Sequence, residues 1–374
     1  MRVLLMYISP VSGHRQGAVA ISKSLKALDP DCEIKSINGF GYTYPVMEKI
    51  INAAYMGVIK NVPQVWEYLY DNPKVIKFSE KWKQSIHKSS HKKLKPLMDE
   101  FKPDVVVCTQ AFPCGMVADY KKENNLPIKV IGVLTDYAPH LYWLHEGVDY
   151  YVVPSEDARQ RYVNEGVPDA SIKTLGIPIR RKFAESTGVA NIAQKLGLDL
   201  NIPTVLIMGG GQGLGPMKEA VKSLVRLERP LQLIVICGTN VKLVHWIKKV
   251  QRHTDKKIIF YDYANNVDEL MEVSSLIVSK PGGMTTSECL AKGLPMVIVD
   301  PIPGQEERNS QFLVNQGIAI RVDDKRHIAI EIEKLLNDPK KLAAMKEAAL
   351  KNGKPLAAEN IAHLILDLRT GNLG

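Results

Sequence analysis

A pair of glycines lies between an apolar run and a helix-period segment in the second half of the chain. The segment reads Ser-Lys-Pro-Gly-Gly-Met-Thr-Thr-Ser-Glu over residues 279–288. A helix that begins near Met284 would leave the N–H groups of Gly282 and Gly283 without partners inside the helix, at the positive end of its dipole. Such groups bind anions. This spacing therefore predicts a diphosphate site.

Two hydroxyl side chains and one carboxylate follow in the same helix. Thr285 and Thr286 can donate hydrogen bonds, and Glu288, one turn into the helix, can accept hydrogen bonds from the paired hydroxyls of a ribose. A glutamate near a helix N-terminus also stabilises the helix dipole, so a structural role is the alternative for Glu288.

Three polar side chains come together after the next apolar run. The loop within residues 299–309 contains two prolines and a glycine that fix its course, and Gln305, Glu306 and Asn309 follow at the start of a helix. Amide and carboxylate groups in this arrangement can bind adjacent hydroxyls of a sugar. Simple acidity at a helix N-terminus is the alternative.

A second glycine-dense loop occurs earlier in the same half. Residues 204–216 read Thr-Val-Leu-Ile-Met-Gly-Gly-Gly-Gln-Gly-Leu-Gly-Pro. They match neither the dinucleotide G-x-G-x-x-G register nor the Gly-Lys-Ser/Thr ending of a P-loop, which argues against NAD and Mg-ATP. So many glycines favour close approach of main-chain amides to a sugar or a diphosphate. The predicted ligand-binding residues here are Gly209, Gly210, Gly211, Gln212 and Gly213.

A histidine follows the first apolar run of the chain. Residues 9–15 read Ser-Pro-Val-Ser-Gly-His-Arg, and the apolar residues from Ala18 to Leu28 then mark one face of a helix. His14 thus lies at a strand-to-helix turn, where a neutral imidazole could remove a proton from a hydroxyl. A capping or partly exposed histidine is the alternative.

These loops need parallel sheets to bring them together. Short β-branched runs recur, each followed by a turn and a helix-period segment, which is the pattern of parallel strands with crossover helices. The predicted strands are Val3–Ile8, Val105–Cys108, Lys129–Leu134, Tyr150–Val153, Thr204–Met208, Leu231–Cys237, Lys257–Tyr261, Ser275–Ser279, Met296–Val299 and Ile318–Arg321. A stretch without strong strand signal, from Gly176 to Pro203, separates two α/β halves. Ligands of such sheets bind beyond the carboxyl ends of the strands.

Length and composition agree with this organisation. A chain of 374 residues with 45% apolar and 24% charged residues fits two globular domains. No apolar run reaches the roughly 20 residues of a membrane-spanning helix, and the N-terminal run is typical of a buried strand rather than a signal peptide. The five scattered cysteines suit a reducing cytosol. The net charge of +9 indicates an anionic partner: nucleic acid, anionic lipid or a phosphorylated small molecule.

The chain resembles the glycosyltransferase family that contains plant monogalactosyldiacylglycerol synthase, bacterial diacylglycerol glucosyltransferases and, more distantly, the peptidoglycan lipid-II-forming N-acetylglucosaminyltransferase. The similarity runs nearly end to end, and its most specific motifs occupy residues 279–289 and 293–309. The resemblance implies the α/β GT-B fold, in which two Rossmann-like domains with parallel sheets face each other across a cleft. We expect an acceptor- and membrane-binding domain over residues 1–180 and a UDP-sugar-binding domain over residues 181–354. Residues 355–374 should form a helix that packs back toward the first domain.

The resemblance also implies roles for individual residues. Residues 261–267 resemble the loop that binds uracil, and residues 135–143 resemble the acceptor-side motif. With the residues named above, the implied donor site comprises Arg180, Gly209, Gly210, Gly211, Gln212, Gly213, Tyr263, Ala264, Gly282, Gly283, Met284, Thr285, Glu288, Gln305, Glu306 and Asn309. The implied acceptor-binding residues are Gly13, Tyr137, His140 and Trp143. Relatives usually carry more glycine before the histidine than the single Gly13 found here.

The implied reaction is an inverting single displacement. His14, oriented by Asp136, would deprotonate a lipid alcohol such as 1,2-diacylglycerol, which attacks a glucose or galactose residue of a UDP-sugar. Asp136 and His140 lack a third ligand with convincing spacing, so we expect no metal and no other cofactor. The alternatives are a UDP-sugar 2-epimerase and a non-catalytic protein that binds a nucleotide sugar or nucleic acid. The sequence leaves the choice of hexose, processivity and the oligomeric state open.

A lysine-rich segment predicts contact with a membrane surface. If a helix continues from Lys74, its lysines fall in one sector and an apolar stripe falls in the next, as an interfacial helix on anionic lipid requires. The predicted membrane-binding residues are Lys81, Trp82, Lys88, Lys92 and Lys95. We therefore expect a cytoplasmic protein, peripheral on the inner face of the cell membrane, and no nucleic-acid partner, because the basic residues are localised. The alternative is an ordinary surface helix with a solvated basic face.

Overall fold

The computed structural model describes residues 1–9, 12–48, 91–137 and 140–370. The chain divides into two compact units. The first comprises Met1–Arg181, Pro303–Gln305 and Leu356–Gly374, and the second comprises Lys182–Ile302 and Glu306–Pro355.

The chain passes between the units at two consecutive basic residues. Arg181 Nη1 pairs with Glu359 Oε2 at 2.6 Å inside the first unit. Lys182 Nζ pairs with Asp268 Oδ1 at 2.5 Å inside the second. Each side of the junction is therefore anchored to its own unit, one residue beyond the division expected from the sequence.

The described residues of the first unit form a six-stranded parallel sheet in the order β2-β1-β3-β4-β5-β6. Its strands are β1 (Arg2–Tyr7), β2 (Glu33–Asn38), β3 (Val105–Cys108), β4 (Lys129–Val133), β5 (Tyr150–Val152) and β6 (Ile172–Lys173). Cys108, the last residue of β3, lies beside Met6 of β1 and Gly132 of β4. The loops that follow these three strands therefore begin at neighbouring positions of one sheet edge.

The described residues of the second unit form another six-stranded parallel sheet, in the order β12-β11-β10-β7-β8-β9. Its strands are β7 (Thr204–Met208), β8 (Gln232–Ile236), β9 (Ile258–Tyr261), β10 (Leu276–Ser279), β11 (Met296–Val299) and β12 (Ala319–Val322). Strands β7, β8, β10 and β11 are buried along their whole length, as expected for parallel strands covered on both faces.

Helices connect and cover these strands. They are α1 (Gly13–Leu28), α2 (Gly39–Thr43), α3 over residues 91–101, α4 (Ala111–Glu123), α5 (Glu156–Asn164), α6 (Val189–Leu196), α7 (Met217–Leu224), α8 (Val241–Gln251), α9 (Val267–Val273), α10 (Gly283–Lys292), α11 (Gln305–Asn315), α12 (Ile328–Leu336), α13 (Pro339–Asn352) and α14 (Ala357–Thr370). No helix within these described stretches is long and apolar enough to cross a membrane.

The last helix belongs to the core of the first unit. Ile361 and Ile365 of α14 are fully buried in one cluster with Ile21 and Leu25 of α1 and Val3 of β1. Because α14 covers the first sheet, the C-terminal helix stabilises the unit that begins the chain.

The sequence prediction of a parallel α/β fold is confirmed, but two edge strands were missed. Strand β2, Glu-Ile-Lys-Ser-Ile-Asn, is half-exposed and lacks a continuous apolar run. Strand β6 has two residues. Both lie at sheet edges, where burial on two faces is not required and the sequence signal is therefore weak.

Candidate active site

His14 lies in the first turn of α1, at the carboxyl edge of the first sheet. Its Nδ1 is 2.9 Å from the main-chain oxygen of Thr109, directly after β3, and 2.8 Å from Oγ1 of Thr135, shortly after β4. The hydroxyl of Thr109 also donates to the main-chain oxygen of His14 at 2.9 Å. Segments that are distant in the sequence thus hold one imidazole ring.

The carbonyl of Thr109 determines which ring nitrogen of His14 carries the proton. A carbonyl oxygen can only accept a hydrogen bond, so the 2.9 Å contact is favourable only if Nδ1 donates. In the neutral ring Nε2 then keeps its lone pair. A general base needs such a lone pair, so the geometry suits the role predicted for His14.

Burial keeps this imidazole neutral. It lowers the pKa of His14 from 6.5 to about 4, because the imidazolium ion would lose its hydration. The hydrogen bond to the Thr109 carbonyl acts in the opposite direction and is the weaker effect. At neutral pH the ring is therefore in the form that can accept a proton.

Two serines adopt the turn and cap conformations in the segment before His14, which contains few glycines. Ser9 has a φ of 58°, the left-handed region that glycine adopts most easily. Ser12 caps α1: its Oγ accepts from the N–H of Arg15 at 3.3 Å and donates to the carbonyl of Ile8 at 2.7 Å. Gly13, expected at the acceptor side, is exposed.

His140 adopts the opposite protonation pattern. Its ring stacks on Tyr142 at 4.1 Å, and its Nδ1 accepts from the main-chain N–H of Tyr142 at 3.1 Å. The neutral ring then carries its proton on Nε2, so His140 can donate a hydrogen bond from that atom. It is 9% exposed.

Two of the other acceptor-side residues are core residues. Trp143 is 8% exposed and belongs to a core cluster with Tyr151, and Tyr137 is 6% exposed. A Cβ on Gly132 would lie 3.4 Å from the Trp143 ring, so the glycine makes room for the indole. Packing is the role that the structure gives Trp143; direct acceptor binding stays a prediction.

Among the described residues, the hydrogen-bond partners of Nδ1 of His14 are Thr109 and Thr135, rather than the Asp136 that we expected to orient the ring. Asp136 Oδ2 instead accepts a hydrogen bond from Nε2 of Gln305 at 3.1 Å, and both residues belong to the first unit. A catalytic role for Asp136 stays a prediction from the family resemblance.

Most glycines of the loop after β7 are required by its own conformation. Gly210, Gly213 and Gly215 have φ values of 66°, 58° and 94°. A Cβ on Gly213 would lie 2.0 Å from the carbonyl oxygen of Cys237, and one on Gly209 would lie 2.3 Å from that of Leu214. Glycine density here therefore has a structural cause that we underestimated from the sequence.

Gly211 is the exception in this loop. It is exposed, and nothing lies within 4 Å of an added Cβ. Gln212 beside it is exposed as well. These two residues are available to a ligand, whereas the glycines around them shape the turn.

Helix α10 begins with the geometry expected for an anion site. Gly282 is its N-cap and makes no side-chain capping bond. Gly282 and Met284 are partly exposed, and Gly283 is buried. The Oγ1 of Thr286 is buried without a hydrogen-bond partner among the described residues, which makes this hydroxyl structurally costly.

Glu306 and Asn309 hold the loops around that helix start. Glu306 Oε2 accepts from the N–H of Ile302 at 2.7 Å, and Asn309 Nδ2 donates to the carbonyl of Pro281 at 3.0 Å. Asn309 is fully buried. Burial raises the pKa of Glu306, partly offset by the Ile302 hydrogen bond and Lys280. Both side chains thus stabilise the loops that contain Ile302 and Pro281. Hexose binding by either residue stays a prediction.

Sequence reasoning missed one cation beside the same helix start. Lys280 precedes the glycine pair, its side chain is 14% exposed, and its Nζ is 3.7 Å from Oδ2 of Asp300. Its Cε would lie 3.1 Å from a Cβ on Gly215. A basic side chain between two glycine loops is the signal that could have identified it.

Most of the remaining predicted donor residues are at least partly exposed. Ala264 is 5% exposed and Tyr263 is 63% exposed, in the loop between β9 and α9. Thr285 and Glu288 of α10 are partly exposed. Arg180 is partly exposed at the end of the first unit.

The predicted membrane residues are only partly described. Lys81, Trp82 and Lys88 lie outside the described residues. Lys92 and Lys95 are exposed on α3, and Lys95 Nζ pairs with Asp99 Oδ2 at 2.7 Å. An exposed pair of this kind leaves the lysine accessible to other anions.

Comparisons with known proteins cover the same two units. Residues 14–179 match the family model for monogalactosyldiacylglycerol (MGDG) synthase. Residues 204–361 match that for the glycosyltransferase family 28 C-terminal domain. The two models thus divide the chain near the junction of its units.

Solved structures agree with the fold at low identity. The crystal structure of Acinetobacter baumannii MurG has a TM-score of 0.66 and 16% identity, over 98% of this chain and 99% of that one. The UDP-GlcNAc 2-epimerase from Neisseria meningitidis has a TM-score of 0.61 and 15% identity, over 98% and 100%. These likenesses confirm the GT-B class and do not separate transferase from epimerase.

A curated relative is similar over nearly the whole of both chains. The protein named processive diacylglycerol beta-glucosyltransferase from Bacillus thuringiensis is 32% identical over 370 residues, 98% of this chain and 93% of its own. The chain therefore belongs to the family of diacylglycerol glycosyltransferases and monogalactosyldiacylglycerol synthases, and it is a glycosyltransferase.

Proposed function

We propose that this glycosyltransferase moves a hexose from a UDP-sugar to 1,2-diacylglycerol with inversion at the anomeric carbon. The observation that carries the proposal is the neutral His14, with Nδ1 bonded to the Thr109 carbonyl and a lone pair left on Nε2. The Bacillus relatives support the choice of acceptor, because they are named processive diacylglycerol beta-glucosyltransferases.

His14 would act on the acceptor. Its Nε2 takes the proton of the lipid hydroxyl while the oxygen attacks the anomeric carbon. The bond from that carbon to the diphosphate breaks, and UDP leaves with the electron pair. No carboxylate nucleophile takes part, since a single displacement inverts the configuration directly.

The start of α10 would stabilise the leaving diphosphate. The first N–H groups of the helix and its dipole are arranged before the reaction begins. Lys280, beside this helix start, adds a positive charge. Arg180 and Glu288 would bind the diphosphate and the ribose, as the family resemblance implies. The reaction would need neither metal nor cofactor.

We infer further that the protein binds a membrane surface peripherally, on the cytoplasmic face. Support comes from the net charge of +9 and from the exposed lysines of α3. Tyr42 and Val46, which are 45% and 71% exposed, add apolar side chains in the same unit. Aromatic and basic side chains together are typical of interfacial binding.

A donor panel tests the proposed chemistry. The protein is incubated with diacylglycerol and radiolabelled UDP-glucose, UDP-galactose or UDP-N-acetylglucosamine, with and without EDTA. We expect label from one of the two UDP-hexoses in the lipid fraction, and EDTA without effect. Conversion of UDP-N-acetylglucosamine to its 2-epimer without lipid labelling would favour the epimerase instead.

A further inference from the structure

Within the described part of the chain, two oxygen atoms, neither of them from a carboxylate, lie within hydrogen-bond distance of Nδ1 of His14. They are the main-chain oxygen of Thr109 at 2.9 Å and Oγ1 of Thr135 at 2.8 Å. We propose that Thr135 is a positioning residue whose hydroxyl shares the Nδ1 proton of His14 with the Thr109 carbonyl. A neutral threonine would thus stand where many catalytic histidines have an aspartate. The inference rests on the proposed role of His14 as the base.

The Thr109 carbonyl sets the direction of both hydrogen bonds. A threonine hydroxyl can donate or accept, so the Thr135 contact alone is compatible with either ring tautomer. A carbonyl can only accept. Because Nδ1 has one proton and faces both oxygens, the favourable arrangement is a shared donation from Nδ1 to the carbonyl and the hydroxyl.

Packing holds these groups in place. Thr109 is fully buried and Thr135 is 5% exposed. Thr109 N donates to the carbonyl of Met6 at 2.9 Å, and its hydroxyl donates to that of His14 at 2.9 Å. The ring is therefore held by groups that lie in β1 or directly follow β3 and β4.

The shared proton matters most when His14 becomes charged. As Nε2 takes the acceptor proton, the ring becomes an imidazolium, and the two Nδ1 contacts become charge-assisted hydrogen bonds. The Thr135 hydroxyl then stabilises a charge that exists in the transition state and not in the resting enzyme. Hydrogen bonds to charged groups are strong enough for its loss to slow turnover by about 10- to 100-fold.

A threonine also leaves the resting ring neutral. The described groups that affect the pKa of His14 are its buried surroundings and the Thr109 carbonyl; no charged side chain contributes. An aspartate at the Thr135 position would favour the imidazolium before the acceptor binds. The hydroxyl supports the charged ring without creating it in advance.

Paired threonine variants test the proposal. Thr135→Val removes the hydroxyl at nearly constant shape, and Thr135→Ser keeps it. Thr204→Val is the matched control, because it removes the hydroxyl of a buried threonine in the second unit, bonded to Gln232 and outside the proposed site. Turnover and KM for the UDP-hexose are measured for each. The His14 tautomer is read in the lipid-free protein from the ¹⁵N shifts of labelled histidine, assigned with His14→Gln.

We expect the wild-type protein, Thr135→Ser and Thr204→Val to carry the His14 proton on Nδ1, and Thr204→Val to keep turnover within about twofold of wild type. Thr135→Val should lower turnover about 10- to 100-fold with KM for the donor nearly unchanged, and Thr135→Ser should restore most of it. A wild-type proton on Nε2, a Thr135→Val turnover within about twofold of wild type, or a Thr135→Ser variant as slow as Thr135→Val would each overturn the proposal. The tautomer is observed without any substrate, so it tests this inference even if the proposed acceptor is wrong.

Discussion

The side-chain amide of Asn309 donates to the main-chain carbonyl of Pro281 at 3.0 Å. This hydrogen bond ties α11 to the turn that precedes α10, and Asn309 is fully buried while it does so. The asparagine predicted to read a sugar therefore supports the loop that would hold the diphosphate. If Asn309 supports this loop, its removal should have different consequences than if it binds the sugar directly.

We expect Asn309→Ala to destabilise the protein and to weaken UDP binding. The variant leaves a buried carbonyl without its donor, which costs about 1–3 kcal/mol of unfolding free energy. Urea denaturation and titration calorimetry with UDP measure the two effects. An Asn309→Ala variant of normal stability with an altered preference between UDP-glucose and UDP-galactose would instead support direct sugar reading.

Alanine should destabilise the protein at one glycine of the loop after β7 and have almost no effect at another. Gly213→Ala meets both a φ of 58° and a carbonyl oxygen at 2.0 Å, so we expect a loss above the roughly 1–2 kcal/mol that left-handed geometry alone costs. Gly211→Ala has open space and should change stability by less than about 0.5 kcal/mol. Denaturation curves of both variants check this difference.

Gly211→Ala also tests whether the main chain of this loop contacts the donor, because the variant should not disturb the turn itself. If main-chain atoms at this position approach the donor, the variant should bind UDP-hexose more weakly at unchanged stability. Unchanged donor affinity would remove Gly211 from the binding site.

The pKa of His14 predicts the acid limb of the rate profile. Its value of about 4 lies below the ordinary 6.5, so the base stays neutral down to that pH. We expect kcat/KM to remain nearly constant from about pH 7 to 5 and to fall near pH 4. A single acid limb centred near pH 6.5 would mean that His14 is not held as described, or is not the base.

The same shift makes stability depend on pH. The folded-state pKa of His14 is lowered, so below pH 6.5 the unfolded chain binds a proton that the folded chain does not accept until about pH 4. This contribution to stability is present above pH 6.5 and is lost as the pH falls through that window. His14→Gln should therefore flatten the dependence of the unfolding free energy on pH between 6.5 and 4.

Glu288 and Gln305 should affect different parts of the donor. Glu288→Ala is expected to weaken UDP binding about 10-fold or more, because a carboxylate loses hydrogen bonds. Gln305→Ala should alter the preference between UDP-glucose and UDP-galactose more than the affinity for UDP. Glu347→Ala, an exposed position on α13, is the matched control. Equal losses of UDP affinity in both site variants would contradict the assignment.

Anionic membranes should bind the protein electrostatically. We expect sedimentation with phosphatidylglycerol vesicles, much less with phosphatidylcholine vesicles, and release by added salt. Replacement of Lys88, Lys92 and Lys95 by Glu should abolish binding at unchanged UDP affinity. The same change at exposed Lys340, Lys341 and Lys346 of α13 controls for net charge. Equal binding to both kinds of vesicle would identify the lysines as an ordinary solvated face.

The sequence predicted the elements whose signal is local. Buried strands such as Thr204–Met208 are continuous apolar runs, and the start of α10 follows from a glycine pair. The half-exposed β2 and the two-residue β6 carry no such signal. The same locality explains why His14 was found at the end of the first strand.

Contacts between distant strand ends could not be predicted in this way. Thr109 and Thr135 are separated from His14 by about a hundred residues, and only the strand order brings them to its ring. Asn309 was assigned to a sugar because the sequence cannot show that its amide is used by Pro281. Gly213 was assigned to a ligand because the sequence does not show that the carbonyl of Cys237 lies where a Cβ at this position would be.

The most direct test of the central claim is acceptor-dependent transfer. Purified protein and His14→Ala are incubated with radiolabelled UDP-glucose and UDP-galactose in detergent micelles, with diacylglycerol or without it, and the label in the lipid phase is followed in time. We predict labelling that requires diacylglycerol and falls by at least about 100-fold in His14→Ala, with an unchanged affinity for UDP by calorimetry. Label that stays in the aqueous phase with both donors, or transfer that proceeds equally well without His14, would contradict it.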